Sequence, residues 1–171
     1  GRPRKGHRFE HRMSNKTLRI AIGADHGGVD VKSAVGEALK AAGHEVTKFG
    51  TGSEESVDYA DYANKVAIGV GDGSFDYGVL VCKSGVGMSI AANRHKGVRA
   101  AKVNDAAEAA VTRQHNDANV LCLGSMAVTP EAAGEIAMIF VGTAFEGGRH
   151  ERRVCKSSGN VVAQTDPDVA A

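Results

Sequence analysis

Hydrophobic positions along the chain fall into short apolar runs, separated by longer segments in which apolar residues recur at helical spacing. Five runs of six residues carry strand-like patterns rich in aliphatic side chains. They are Leu18 to Gly23, Glu45 to Gly50, Tyr77 to Cys82, Val98 to Val103 and Asn119 to Gly124. We predict a β-strand at each run.

The segments between these runs are typical of amphipathic helices. The first is marked by Val31, Val35, Ala38, Leu39 and Ala42, and the second by Tyr59, Tyr62, Ala63, Val66, Ala67 and Val70. After the fifth run, Thr129 can cap a helix that has Pro130 in its first turn. Five strand-helix units predict an α/β fold with a five-stranded parallel sheet in three αβα layers, Rossmann-like and doubly wound.

Composition favours a single domain. The chain has 171 residues, of which 42% are hydrophobic, which is enough for one well-buried core and short for two. No run approaches the roughly 18 apolar residues of a membrane-spanning helix, so we expect a soluble, cytoplasmic protein. The three cysteines, Cys82, Cys122 and Cys155, form no CxxC pair. We therefore expect free thiols rather than a disulfide framework or a cysteine-rich zinc site.

Charge is concentrated at the start of the chain. Residues 1–13 hold five of the 21 Lys and Arg and one of the 20 Asp and Glu, which leaves 16 basic and 19 acidic residues elsewhere. A basic arm can bind nucleic acid, but the apolar residues of this arm show no regular spacing. We predict a disordered basic extension over residues 1–16, one folded domain over 17–156 and a flexible tail over 157–171.

The polar chemistry of the chain collects where the predicted strands end. A parallel sheet binds its ligand at the carboxyl ends of its strands, and here those ends carry GADHGG after the first strand and CKSGVG after the third. Cys82 then lies between a strand end and a helix N-terminus, a position that favours a thiolate. The backbone amides from Ser84 to Gly87 form a predicted anion hole.

A base beside an anion hole suits removal of a proton α to a carbonyl, because the developing enediolate oxyanion must be held. Two other interpretations remain open. GVGMSI resembles the start of a dinucleotide fingerprint but lacks the third glycine, and Cys82 could be a buried small hydrophobe. His115 poses a separate problem. The chain returns from the end of the fourth helix to the fifth strand, which places His115 at the amino-terminal edge of the sheet, away from Cys82. A partner subunit or an irregular return could bring the two together.

Several separated motifs carry a family resemblance. ADHGG, DYADYA, VCKSGVGMSIAAN, GVRAA, RQHNDANVLCLGS and FEGGRHERRV resemble, in order and spacing, type B ribose-5-phosphate isomerases and their relatives, which include galactose-6-phosphate isomerase subunits. The resemblance covers about Leu18 to Val154. It implies aldose–ketose isomerisation of a sugar phosphate, most simply ribose 5-phosphate to ribulose 5-phosphate, without metal or organic cofactor. It also implies a homodimer with sites between subunits.

The resemblance further implies roles for individual residues. Cys82 matches the catalytic base, His115 the histidine that opens the furanose ring, and Ser84 and Asp25 further catalytic groups. The implied substrate-binding residues are His26, Tyr59, Gly85, Val86, Gly87, Asn116, Arg149 and Arg153, with both arginines on the phosphate. Without the family, Asp25 with His26 could be a local turn pair, and GGRHERR a solvated basic helix end.

Lys83 departs from the family pattern, which commonly has glycine after the catalytic cysteine. If this position needs a positive φ, lysine is strained there; if not, an ammonium group lies beside the thiol. Either case could change the substrate, so a tetrose or hexose phosphate is an alternative. A non-catalytic sugar-phosphate sensor is a second alternative, and a thiol redox protein a weaker one because no resolving cysteine lies nearby in sequence.

Overall fold

A computed structural model of the protein describes residues 16–50 and 58–159 and shows one parallel sheet between two layers of helices. The sheet has five strands in the order β2-β1-β3-β5-β4, and every pairing is parallel. The strands are β1 (Arg19–Ala24), β2 (Glu45–Phe49), β3 (Tyr77–Cys82), β4 (Ala100–Lys102) and β5 (Val120–Gly124). The predicted α/β sheet is confirmed.

The helices follow the strands in the predicted alternation. They are α1 (Val29–Ala41), α2 (Tyr59–Gly71), α3 (Val86–Asn93), α4 (Ala106–Asn116), α5 (Pro130–Gly142) and α6 (Arg149–Ser157). A short 3-10 turn, His26–Gly28, precedes α1. The predicted start of α5 is confirmed, because Thr129 accepts a hydrogen bond from the Ala132 amide at 3.2 Å.

Strand alternation divides the core between the two faces of the sheet. On β3, Val79 and Val81 pack toward α1 and α5, whereas Leu80 and Cys82 pack toward α2 and α3. Successive side chains of a strand point to opposite faces, so the near-continuous apolar runs in the sequence supply both cores at once. This is the pattern of a parallel sheet that helices cover on both sides.

Two predicted boundaries differ from the structure. The strand predicted over Val98 to Val103 is reduced to β4, because the Arg99 amide donates to the Asn119 side chain at 2.8 Å rather than to the ladder. The tail predicted from residue 157 begins too early, because α6 continues to Ser157. The N-terminal extension and most of the predicted tail lie outside the described residues. Within the described ranges, every helix is too short or too polar to traverse a bilayer.

Candidate active site

The carboxyl edge of the sheet brings the ends of β1 and β3 together. The Asp25 amide donates to the Val81 carbonyl at 3.1 Å, which places Asp25 beside Cys82. Gly28 makes this approach possible, since a Cβ there would lie 2.7 Å from Val81 Cγ1. The Asp25 carboxylate accepts a hydrogen bond from the Gly27 amide at 2.9 Å and caps the 3-10 turn. Asp25 thus stabilises a turn at the edge of the sheet where the site was predicted, and His26 beside it is exposed.

Cys82 is a buried thiol at the end of β3. Its side chain belongs to the core on the α2 and α3 face, and the residue is 5% exposed. The Gly85 amide donates to its Sγ atom at 3.1 Å. The interpretation of Cys82 as a small core hydrophobe therefore agrees with its packing, while the amide of Gly85 gives its sulfur a directed hydrogen-bond donor.

The loop after Cys82 is held by its own hydrogen bonds. Gly85 has a φ of 79°, in the left-handed region that glycine tolerates, and a Cβ there would lie 3.0 Å from the Leu123 carbonyl carbon. The Val86 amide donates to Ser84 Oγ at 3.2 Å. Of the four amides predicted to bind an anion, those of Gly85 and Val86 are thus used inside the loop. Among the described residues, the amides of Ser84 and Gly87 have no such bond within the loop, and the anion hole itself stays a prediction.

Tyr59 covers the start of α3. A Cβ on Gly87 would lie 2.8 Å from Tyr59 Cζ, so the aromatic ring rests directly against this glycine. Tyr59 is also exposed. The ring therefore forms one wall beside the Gly87 amide, where a substrate-binding side chain was predicted.

Lys83 is not strained. Among the described residues, Asp117 is the only one other than glycine with a positive φ, so position 83 does not require glycine. The Lys83 side chain is exposed, and its carbonyl accepts a hydrogen bond from the Met126 amide at 3.2 Å. The departure from the family pattern therefore adds a solvent-accessible cation next to Cys82 without backbone cost.

His115 belongs to a second cluster, at the amino-terminal edge of the sheet. It lies in the last turn of α4 and stacks on His150, with ring centroids 4.3 Å apart and planes 11° apart. Glu146 Oε2 lies 3.9 Å from His115 Nε2 and 3.7 Å from His150 Nε2. Burial lowers the pKa of His150, and the neighbouring His115 and Arg149 lower it further. Asn116 follows His115 and is exposed.

A cavity of about 340 Å³ joins this cluster to α6. Its lining includes His115, His150 and Arg153. Arg99 also lines it, with its guanidinium held by the Asn116 carbonyl at 2.8 Å and the Ser158 hydroxyl at 2.6 Å. Arg149, at the start of α6, is exposed beside the same histidines. Two imidazoles and several guanidinium groups around a cavity suit a phosphorylated ligand.

The structure thus forms two groups of predicted site residues in one chain. Asp25, His26, Tyr59, Cys82 and the loop from Ser84 to Gly87 lie at the carboxyl edge; His115, Asn116, Arg149 and Arg153 lie at the amino-terminal edge. The six residues of β3 separate these edges by roughly 17 Å. The predicted separation of His115 from Cys82 within one chain is confirmed.

Sequence reasoning missed Glu146 and the inward position of His150. The signal for both lay in FEGGRHERR, which was interpreted only through its arginines. Gly147 and Gly148 have positive φ values of 68° and 58°, and the turn they allow brings residues 146 and 150 to the same histidine of α4. No spacing rule for a single helix or strand contains that arrangement.

Comparison with known proteins gives a consistent result. The ribose/galactose isomerase family matches residues 20–157. Ribose-5-phosphate isomerase B of Escherichia coli is 45% identical over 136 residues, which cover 80% of this chain and 91% of that protein. The structure of ribose 5-phosphate isomerase from Thermotoga maritima superposes with a TM-score of 0.81 at 44% identity, covering 84% of this chain and 99% of that one.

A third relative carries a ligand. Ribose-5-phosphate isomerase B of Mycoplasma genitalium was solved with bound ribulose-5-phosphate; it is 42% identical, with a TM-score of 0.79, covering 82% of this chain and 94% of that one. The matches span both clusters and nearly the whole described fold. This chain belongs to the ribose/galactose isomerase family, and the prediction of an aldose–ketose isomerase is confirmed at that level.

Proposed function

We propose that the protein interconverts ribose 5-phosphate and ribulose 5-phosphate, with Cys82 as the base that moves the proton. The observation that carries this proposal is the Cys82 thiol, buried at a strand end and touched by the Gly85 amide at 3.1 Å. The sugar phosphates bound or named in the relatives from Mycoplasma genitalium and Escherichia coli support the substrate class.

The proposed reaction is a proton transfer between adjacent carbons. His115 first assists opening of the furanose ring. The Cys82 thiolate then removes the proton from C2 of the open-chain aldose, and the resulting enediolate oxygen binds to the amides of Ser84 and Gly87. Ser84 Oγ accepts from the Val86 amide, so its own O–H can donate to the enediolate. The hydroxyl proton on O2 passes to O1, a transfer that Ser84 Oγ can relay, and the proton on Cys82 returns to C1 to give the ketose.

We propose that complete sites form between two copies of the chain. Cys82 and His115 lie at opposite edges of one sheet, so neither cluster contains all the groups that the reaction needs. The carboxyl edge also exposes apolar side chains beside the Cys82 loop: Val86 and Ile90 on α3 are 46% and 62% exposed, and Met126 is 74% exposed. A second copy that covers this surface would carry its own His115, Arg149 and Arg153 to Cys82. No metal or organic cofactor takes part, and we place the enzyme in the cytoplasm.

A different sugar phosphate is the second candidate substrate. Lys83 is exposed and follows Cys82 directly in the chain, so it adds a donor that could reach the region in which C1 and C2 would bind. This observation favours testing tetrose and hexose phosphates beside ribose 5-phosphate.

The test is a screen of pentose, tetrose and hexose phosphates in D₂O, followed by NMR for aldose–ketose conversion and deuterium at C1 or C2. We expect conversion of ribose 5-phosphate with stereospecific incorporation of deuterium. Conversion of only a tetrose or hexose phosphate would replace the substrate but keep the chemistry. Binding of sugar phosphates with no conversion and no exchange would indicate a sensor and overturn the proposal.

A further inference from the structure

The cluster of His115, Glu146 and His150 has the composition of a transition-metal site. Each residue can offer one ligand atom, and these atoms all lie within 4.8 Å of one another. Two imidazole nitrogens and one carboxylate oxygen form a donor set that zinc accepts, with a fourth position left for water or a ligand. We infer that this cluster binds Zn²⁺, and that zinc bound there inhibits the enzyme.

The backbone holds the three ligands in place without a metal. The Glu146 amide donates to the Gln114 carbonyl at 3.1 Å, which ties the loop to α4 next to His115. The His150 amide donates to the Gly147 carbonyl at 3.1 Å, and the positive φ values of Gly147 and Gly148 close the turn between them. A site with this much order before binding loses less conformational freedom when the ion arrives.

The two distances from Glu146 require only a small contraction, whereas one ring must move. Zinc bonds of about 2.0–2.2 Å at tetrahedral angles place ligand atoms about 3.4 Å apart. Glu146 Oε2 is already 3.9 Å from His115 Nε2 and 3.7 Å from His150 Nε2. The two rings are nearly parallel, so His115, the more exposed ring, must tilt out of the stack to direct its nitrogen at the ion. The His115 side chain is 40% exposed, so solvent lies on one side of the ring.

Charge sets a limit on the affinity. The Glu146 carboxylate favours a dication, but Arg153 lines the same cavity and Arg149 lies next to His150, so both guanidinium groups repel it. We therefore expect weaker binding than at a structural zinc site. Inhibition follows because a metal-bound imidazole of His115 cannot exchange a proton with the sugar; this consequence rests on the proposed function, whereas the binding itself does not.

The experiment measures zinc binding to the full chain by calorimetry, and the ligand type by the visible spectrum of the Co²⁺ form. We expect one ion per chain and a spectrum without a thiolate charge-transfer band. Glu146→Gln and His150→Gln should each weaken binding by more than about tenfold, since even second-shell partners of a metal cost about that much. Because His150 is buried, Glu146→Gln, at an exposed position, keeps the test valid if His150→Gln does not fold.

A double variant, Cys82→Ala with Cys155→Ser, is the matched control, because it removes thiols that could bind zinc elsewhere; it should bind zinc as the wild type does. Zinc binding that survives Glu146→Gln, binding that disappears in the cysteine variant, or no binding at all would overturn the inference.

Isomerase activity gives a separate readout: zinc should inhibit the wild type reversibly, with recovery on adding a chelator, and inhibit Glu146→Gln less. If zinc binds but the wild type has no isomerase activity, only the proposed function fails.

Discussion

Cys82 combines burial with a directed amide, and the base proposed for the isomerase reaction rests on that combination. Its burial on the α2 and α3 face excludes water, while the Gly85 amide, 3.1 Å from Sγ, offers a fixed donor to sulfur. Cys122, on the neighbouring strand, has the burial without such a donor among the described residues. Burial raises the pKa of Cys122, and the nearby Cys82 raises it further. Two cysteines in the same core layer therefore differ in their hydrogen bonding.

The first prediction is that Cys82→Ala keeps the fold and loses isomerase activity. Removal of a general base costs about 10²- to 10⁴-fold in rate, and alanine fills the buried position without introducing a polar group. Rates of aldose–ketose conversion and far-UV circular dichroism measure the two effects. Cys155→Ala is the matched control and should keep its activity, since Cys155 lies in α6 away from the loop. Near wild-type kcat in Cys82→Ala would remove this thiol from the mechanism.

Lys83 carries the second prediction. Because its φ is not positive and its side chain is exposed, Lys83→Gly relieves no strain and should cost up to about 1 kcal/mol of stability through backbone entropy. We expect the change to alter the ranking of kcat/KM among ribose 5-phosphate, tetrose and hexose phosphates, because a donor near C1 and C2 is lost. An unchanged ranking would show that the lysine points away from the substrate.

At the scale of elements, the C-terminal end of α4 is the best anchored part of the second cluster. Arg113 is buried, with its guanidinium over the Tyr77 ring at 5.0 Å. It donates to the Thr143 carbonyl at 3.0 Å, the Ala118 carbonyl at 2.6 Å and the Asp117 carboxylate at 2.8 Å. These contacts join α4, β3 and the end of α5, two residues before His115. Arg113 therefore positions His115 without reaching the cavity itself.

The third prediction is that Arg113→Lys lowers the free energy of unfolding by about 1–3 kcal/mol, because one ammonium group cannot serve all three acceptors and leaves a buried carbonyl unpaired. Urea denaturation measures the loss. The matched control is Arg94→Lys, an exposed arginine after α3, which should change stability little. If Arg113→Lys unfolds at the wild-type urea concentration, the guanidinium is not the anchor.

The fourth prediction concerns α6. Arg153 lines the cavity with His115 and His150, so Arg153→Ala should raise KM for ribose 5-phosphate roughly ten- to hundredfold, since a hydrogen bond to a charged group is worth about 1.5–3 kcal/mol. Binding of unphosphorylated ribose should be spared. Arg152→Ala, one residue earlier on the same helix, is the control for the loss of charge. An unchanged KM and kcat in Arg153→Ala would show that this arginine does not bind the phosphate.

How far the sequence predicts this protein depends on the range of the interaction involved. The strands and helices rest on local periodicity, and four of the five strands agree with their apolar runs to within one residue at either end. β4 was overestimated because its outcome depends on the Asn119 side chain, which lies 20 residues from Arg99 in the sequence. The cluster of Glu146 and His150 depends on a turn that docks on α4, and no periodicity within one element encodes such docking.

At the scale of the whole molecule, the distribution of site residues over two edges of one sheet matters more than any single contact. Cys82 ends β3 and the loop from Ser84 to Gly87 follows it, whereas His115 precedes β5 and Arg149 and Arg153 follow α5. In a doubly wound sheet the ends of strands and the starts of strands are always on opposite edges. In the composite site proposed above, a second copy related by twofold symmetry supplies the half that one chain cannot place at the same edge.

The last prediction tests this composite site directly. Cys82→Ala and His115→Gln should each be inactive as pure proteins. In a mixed dimer, one site combines Cys82 of the His115→Gln chain with His115 of the Cys82→Ala chain and is intact. The other site combines the two substituted residues and is inactive. If the two variants are refolded together in equal amounts, half of the dimers are hybrids with one working site each, so about a quarter of wild-type activity should return.

Two controls fix the meaning of that recovery. A chain carrying both substitutions, refolded with either single variant, should recover nothing, because no site then has both the thiol and the histidine. Sedimentation of the mixture should show dimers, and dilution to the monomer should abolish the recovered activity. If the mixture of single variants stays inactive although mixed dimers form, the thiol and the histidine act within one chain. The 17 Å between the sheet edges, estimated from the length of β3, would then have to be closed by a conformational change rather than by a partner.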